Sequence, residues 1–219
     1  TTPAAPCSIA SAGVVVHGAD GRCHAAAAVI VALPPALRER LRFDPPLPPA
    51  YSALAQRAPM GAMIKVLAVY PKAWWRAKGW NGLGFGDLPF LELTADSSPP
   101  SCTPGVLAGF VAAARVRRLA PEQRRQAILA DLVAFWGEAA ASPAELILHD
   151  WTAEPWTTGA FTSFLVPGAW TSVGAALRQP VGPVHWAGTE AATRWPGYFE
   201  GAIEAGLAAA QGALAQLGD

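Results

Sequence analysis

Strand-length and helix-length apolar stretches alternate along this chain without a strict strand–helix–strand rhythm. That pattern predicts an α+β fold, mixed α/β in its sheets and divided into two lobes. Composition supports it: 52% of residues are apolar and 15% charged, which suits a well-buried core and argues against disorder. The stiff run Pro45-Pro-Leu-Pro-Pro49 supplies a crossing between lobes.

The elements follow in order. Residues 13–16 and 25–33 read as a β-hairpin across Gly18-Ala-Asp-Gly21, whose glycines supply the positive φ of the turn. Pro34-Pro35 stops the second strand, and 36–41 suits a short helix. Residues 62–70 alternate as a strand in which Lys65 is the one charge. Trp74, Trp75 and Trp80 follow near a turn. Residues 88–94 and 106–112 read as strands on either side of Ser97-Ser-Pro-Pro-Ser101. Residues 121–139 make the clearest helix: Pro121 suits its first turn, and Ile128, Leu129, Leu132, Val133 and Trp136 recur at helical spacing. Residues 145–149 form a strand running into Asp150-Trp151, and 170–177 read as helical. A short buried strand at 184–187 precedes a long Ala-rich helix at 198–217.

Several function classes are disfavoured. Sixteen basic and sixteen acidic residues cancel, so no basic excess points to nucleic acid or an anionic membrane. The densest basic run, Arg115 to Arg118 with Arg124 and Arg125, reads as a solvated helix face. Cys7, Cys23 and Cys102 are too few and scattered for a disulfide framework or zinc site, and read as small buried residues. His17, His24, His149 and His185 lack metal-ligand spacing and read as structural or surface histidines; no metal is expected. No Gly-x-Ser-x-Gly elbow, HExxH or P-loop occurs. No apolar run reaches membrane-spanning length, and residues 1–6 lack the basic start and apolar run of a signal peptide, which gives a cytoplasmic expectation. The missing initiator Met suggests a cut edge or processed end.

The segment from Val184 to Gly206 is the most specified. A strand ends at Gly188, where backbone can approach a ligand closely. A helix then begins near Tyr198, pointing unpaired N–H groups and a positive dipole end outward. This suits an electron-rich group, and equally a Gly-kinked turn with ordinary caps, since helix N-termini are general anion sites.

Ala187-Gly-Thr-Glu190, Thr193, Trp195, Gly197-Tyr198, Glu200-Gly-Ala202 and Glu204-Ala-Gly206 resemble, nearly position for position, the C-terminal signature of the flavin-containing monoamine oxidase family of FAD-dependent amine oxidases. Pro196 departs mildly from it. The resemblance extends to Val29-Ile-Val-Ala-Leu-Pro-Pro35, Phe43-Asp-Pro-Pro-Leu-Pro48, Pro59-Met-Gly-Ala-Met-Ile-Lys65, Trp151, Gly159-Ala-Phe161, Pro167-Gly168 and Leu177-Arg-Gln-Pro180. It implies an FAD-binding lobe from 1–54 and 154–219 and a mixed-sheet substrate lobe from 55–153.

It also implies roles. Lys65 resembles the lysine that holds a water against the flavin and assists reoxidation by O2; a lone strand Lys otherwise snorkels to solvent. Phe161 and Tyr198 resemble the two aromatic walls flanking the substrate amine, with Phe161 lacking the family's usual hydroxyl; aromatics are also common in cores. Trp151 resembles the tryptophan packed beside the flavin. Gly188, Thr189, Glu190, Trp195, Gly197 and Phe199 belong to the cofactor-contacting segment, with Thr189 and Glu190 near the phosphate–ribitol region and Phe199 offering its backbone N–H. Ala160 stands where mammalian members attach flavin through cysteine, so the implied FAD is non-covalent.

The family's opening Gly-x-Gly-x-x-Gly βαβ unit, of Rossmann type, has no counterpart; Gly82-Leu-Gly-Phe-Gly86 has the wrong spacing. The resemblance therefore implies the C-terminal half of an amine oxidase, inactive without an N-terminal half or second chain carrying the dinucleotide clamp. Its substrates would be a small amine and O2, its products an imine or aldehyde and H2O2. Two readings compete: a non-catalytic remnant or partner-binding subunit, and an L-amino-acid oxidase, which needs a cationic clamp for the substrate carboxylate.

Overall fold

The computed structural model describes residues 6–10 and 13–218. The readings at residues 1–5 and the expected burial of Cys7 lie outside that description. In chain order the elements are β1 (Pro6–Ala10), β2 (Gly13–His17), β3 (Cys23–Ala26), β4 (Val29–Val31), α1 (Pro35–Arg38), β5 (Arg42–Asp44), α2 (Pro49–Gln56), β6 (Met60–Gly61), β7 (Met63–Tyr70), α3 (Trp74–Ala77), β8 (Gly84–Phe85), β9 (Leu91–Asp96), β10 (Gly105–Ala112), α4 (Ala113–Val116), α5 (Pro121–Trp136), β11 (Glu145–Asp150), β12 (Ala160–Ser163), α6 (Ala169–Val173), β13 (Val184–Trp186) and α7 (Phe199–Gly218). The fold is mixed α/β. It divides into two compact units, one formed by the chain up to Gly61 together with Phe161 onward, the other by Ala62–Ala160. The proline run at 45–49 lies inside the first unit rather than at its edge.

In the first unit, β3-β2-β1-β5 form one sheet, β12 pairs with β6, and β13 pairs in parallel with β4. Val31, Tyr51, Leu54, Leu177, Val184 and Trp186 form its core. The run 25–33 is not one strand. Its alanine part extends the antiparallel β2–β3 pair, while Val29, Ile30 and Val31 pair with β13. An unbroken apolar stretch carries no mark of the bend between them. The expected stiff connection after Pro45 likewise gives way to helix at Pro49, where proline suits the first position and Tyr51, Leu54 and Ala55 bury at helical spacing.

The second unit is a five-stranded sheet ordered β11-β7-β10-β9-β8, with β7, β10, β9 and β11 antiparallel to their neighbours. Strand β7 alternates strictly: Ile64, Val66, Ala68 and Tyr70 are buried, while Met63, Lys65, Leu67 and Val69 are half-buried. The buried side packs with Ile128, Leu132 and Trp136 of α5. Asp131 of that helix accepts the amides of Phe90 and Leu91 at 2.8 and 2.7 Å, which docks α5 on β9. Gln123 Oε1 accepts the Ala120 amide at 2.9 Å, closing the helix start.

The expectation of buried cysteines fails at two positions. Cys23 is exposed on β3, its Sγ 3.1 Å from His17 Nδ1, and Cys102 is only half-buried. Small size made burial possible, but nothing local required it. Among the described residues no helix is long and apolar enough to cross a membrane, and no group of His, Cys, Asp and Glu could hold a metal ion.

Candidate functional site

The fully buried β13 ends at Trp186, and after Ala187 comes Gly188, which has φ of 96°, a conformation that L side chains rarely adopt. The chain then turns through Thr189–Ala191 and loops to α7. Thr189 clasps the loop: its Oγ1 accepts the Gly197 amide at 2.6 Å and donates to the Tyr198 carbonyl at 3.0 Å. Glu204, one turn into α7, accepts the Thr193 and Arg194 amides at 3.1 and 3.2 Å and the Thr193 hydroxyl, and the hydroxyl bond holds its carboxyl below the usual carboxylate range. Gly201 lies so close beneath the loop that a Cβ there would sit 2.2 Å from Trp195 O.

This clasp presents the helix start. Ala202 donates to Tyr198 O at 3.1 Å, and the amides of Phe199, Glu200 and Gly201 have no hydrogen-bond partner among the described residues. They form the positive end of a 20-residue helix. Trp195 and Tyr198 meet edge to face, centroids 6.1 Å apart. Phe161 is 58% exposed, Trp195 63%, Tyr198 67% and Phe199 92%, an unusual concentration of open ring surface in one unit.

Strand β12 is tied to the same turn. Buried Glu190 accepts the Ser163 amide at 3.0 Å and the Thr162 hydroxyl at 3.3 Å, next to Phe161, which holds φ of 64°. Arg38 supplies charge near Glu190. It is buried, donates to the carbonyls of Ala176 (3.2 Å) and Leu177 (3.4 Å), and stands 4.4 Å from the Trp186 ring. Burial lowers its pKa to about 10, against the attraction of Glu190. Sequence reasoning missed Arg38; the available signal was a cation directly after the apolar run Leu33 to Leu37, masked by the charged Glu39 and Arg40 that follow it.

Lys65, Trp151 and Ala160 belong to the other unit. Lys65 occupies the central strand β7, with Phe110 of β10 and His149 of β11 as its cross-strand partners. Its ammonium lies 3.9 Å from the Phe110 centroid, and burial lowers its pKa. Trp151 follows β11 in a 3-10 turn and meets His149 edge to face at 4.6 Å. Ala160 is buried at the start of β12, and its methyl offers no nucleophile for a covalent tether. Thus Phe161, Gly188, Thr189, Glu190, Trp195, Gly197, Tyr198 and Phe199 are joined by one bonded framework, and Lys65 and Trp151 share the neighbour His149 in another.

Free amides at a helix start beside exposed rings fit a planar, electron-rich heterocycle such as the flavin ring, which takes negative charge on reduction.

Comparison with known proteins gives the same direction. Residues 8–214 match the family model described as flavin containing amine oxidoreductase. An L-amino acid dehydrogenase of Synechocystis is 46% identical over 191 residues, covering 86% of this chain and 41% of that protein. The flavin-containing amine oxidase A of Equus caballus is 38% identical over 197 residues, covering 87% and 37%. The solved structure of cyclohexylamine oxidase from Brevibacterium oxydans superposes with a TM-score of 0.92 at 34% identity, over all of this chain and 49% of that one. The chain therefore spans about half the length of the relatives it matches or less.

Proposed function

The chain belongs to the flavin-containing amine oxidoreductase family, and from this premise we propose that it is the C-terminal portion of an FAD-dependent amine oxidase. The reaction would convert a neutral amine to an imine, which water hydrolyses to aldehyde and ammonia, with O2 reduced to H2O2. Bound flavin supplies a two-electron acceptor that oxygen regenerates. The observation that carries the reading is the open ring surface set around the free amides of α7.

The residues divide the work. The α7 amides, with Phe199 foremost, would hold the flavin ring, and Gly188, Thr189 and Glu190 would line the segment toward ribitol and phosphate. Trp151 would offer its ring to the cofactor, and Trp195 and Gly197 shape the loop that carries Tyr198. Phe161 and Tyr198 flank the amine, orienting it and excluding water. Lys65 holds a water for the oxygen-dependent step. Ala160 leaves FAD bound without a covalent link. The unit containing β13 and α7 is the FAD-binding lobe, and Ala62–Ala160 the substrate lobe.

The pyrophosphate clamp is then supplied by a complementary nucleotide-binding half. Two features support such a partner. Bonds from Val29 to Pro183 O and from Ala187 to Val31 O turn residues 29 and 31 toward β13, leaving the Ile30 backbone facing an open sheet edge. Helix α7 also exposes Phe199, Ile203, Leu207, Leu214 and Leu217.

The chain is expressed with and without that half, and bound flavin and amine-dependent peroxide are measured. The assembly is expected to hold flavin and make peroxide; absence of both would sink the proposal and favour a non-catalytic module. The Synechocystis relative supports a second reading, oxidation of an amino acid. The sheet face around Lys65 carries Met63, Leu67, Phe110, Leu93, Ile147 and His149 but no arginine among the described residues, which favours an amine without a carboxylate. Steady-state comparison of an arylalkylamine, a polyamine and an amino acid separates the two.

A further inference from the structure

Lys65 has two cross-strand neighbours on its own sheet face. One, Phe110, receives the ammonium on its ring. The other, His149, is exposed and rests edge-on against Trp151. Directly opposed residues of an antiparallel pair have Cβ atoms about 5 Å apart, within reach for two long polar side chains. His149 is therefore the side chain that neighbours both Lys65 and Trp151, the two groups of this unit assigned to the cofactor and to oxygen.

We propose that His149 is a positioning residue for Lys65: it braces Trp151 on one side and, when charged, presses the Lys65 ammonium toward Phe110 and strengthens the positive field at that end of the sheet. The proposal rests on the reading of Lys65 as the group serving the oxygen-dependent step. Other charges near this face are few. Glu145 lies four residues back on β11, opposite Val69. Asp150 pairs with Ile64 on the opposite face, and its Oδ1 accepts the Thr152 amide and hydroxyl at 2.9 and 2.6 Å. Glu154, beyond the turn, accepts the Trp156 amide at 3.3 Å. β10 and β9 offer Val106, Ala108, Phe110, Ala112, Leu93 and Ala95 on this side, and at the bulge beside Phe110 the half-buried Glu92 pairs with Arg115 at 2.8 Å. Charge in a step that places negative charge on dioxygen is stabilised by added positive potential.

The test begins with the chain itself, which has three lysines, Lys65, Lys72 and Lys78. With 13Cε-labelled lysine, the Lys65 signal is assigned by its loss in Lys65→Arg. It is expected to move in variants that change the charge at position 149, while Lys72 and Lys78 stay still. His149→Arg lowers the Lys65 midpoint and His149→Glu raises it, each by about half a pH unit, the Coulomb value for charges roughly 7 Å apart at a dielectric of roughly 60. A Lys65 signal blind to His149, or three lysines moving alike, overturns the proposal. In the assembled, flavin-loaded enzyme, reoxidation is expected to slow in His149→Gln and to recover in His149→Arg, with reduction by amine unchanged. If Lys65→Met leaves reoxidation intact while the NMR coupling persists, the role given to Lys65 fails and the positional coupling stands.

Discussion

Asp96 ties α3 to the end of β9 and the loop that follows it. Its carboxylate accepts Trp75 Nε1 at 2.9 Å, Arg76 Nε at 2.5 Å and the Ser98 amide at 2.8 Å. Burial pushes this carboxyl up, but the bonds from Arg76, Ser98 and Trp75 outweigh it and hold it well below the usual carboxylate range. A depressed folded-state value contributes stability that is present above the unfolded value, about 4, and is lost as pH falls toward the folded one. Asp96→Asn is expected to cost about 1.5–3 kcal/mol in urea unfolding at pH 7, with the gap to the native chain narrowing below about pH 4. An unchanged gap at pH 3 contradicts this account. For Lys65, replacement by Met is expected to slow reoxidation by oxygen more than reduction by amine in the assembled enzyme. Stopped-flow traces with equal slowing of both would remove its assigned role.

Helix α7 offers a paired test on one element. At Gly201 a Cβ would collide with Trp195 O, a backbone atom that accepts the Tyr198 amide, whereas at Gly206 a Cβ meets nothing within 4 Å. Gly206→Ala is expected to raise stability by about 0.5–1 kcal/mol through helix propensity. Gly201→Ala is expected to lose about 1–3 kcal/mol, the usual cost of overpacking, and to disturb the Trp195 fluorescence environment. Thermal melts of the two variants moving in the same direction would contradict the tight seating. The same contrast explains which elements were readable. The 3.6-residue spacing in α5 and the strict alternation of β7 survive into the structure as one buried face each. Helix α2 hid behind prolines that look like a linker, and the break between β3 and β4 hid inside an unbroken apolar run.

Across the molecule, the exposed stripe of α7 and the open edge of β4 are the surfaces that the proposed nucleotide-binding half would cover. Leu207→Glu combined with Leu214→Glu is expected to leave the circular dichroism of the chain unchanged. It should abolish capture of the nucleotide-binding half in a co-expression pull-down; full retention would place that half elsewhere. The family was legible in advance because the residue types and spacing between Val184 and Gly206 form a dense motif, and so was the mixed α/β class, because apolar period reports local backbone. What folding added was contact between residues far apart in sequence. The Thr189 clasp on Tyr198, the Glu190 bonds to β12, the burial of Arg38 and the place of His149 beside Lys65 all depend on strand pairing and turns that bring together residues 9 to 138 positions apart. Local pattern follows from backbone sterics and solvent exposure, which each short segment carries with it. Register and long-range hydrogen bonding arise when competing pairings are resolved by burial of the whole, and no single segment contains that comparison.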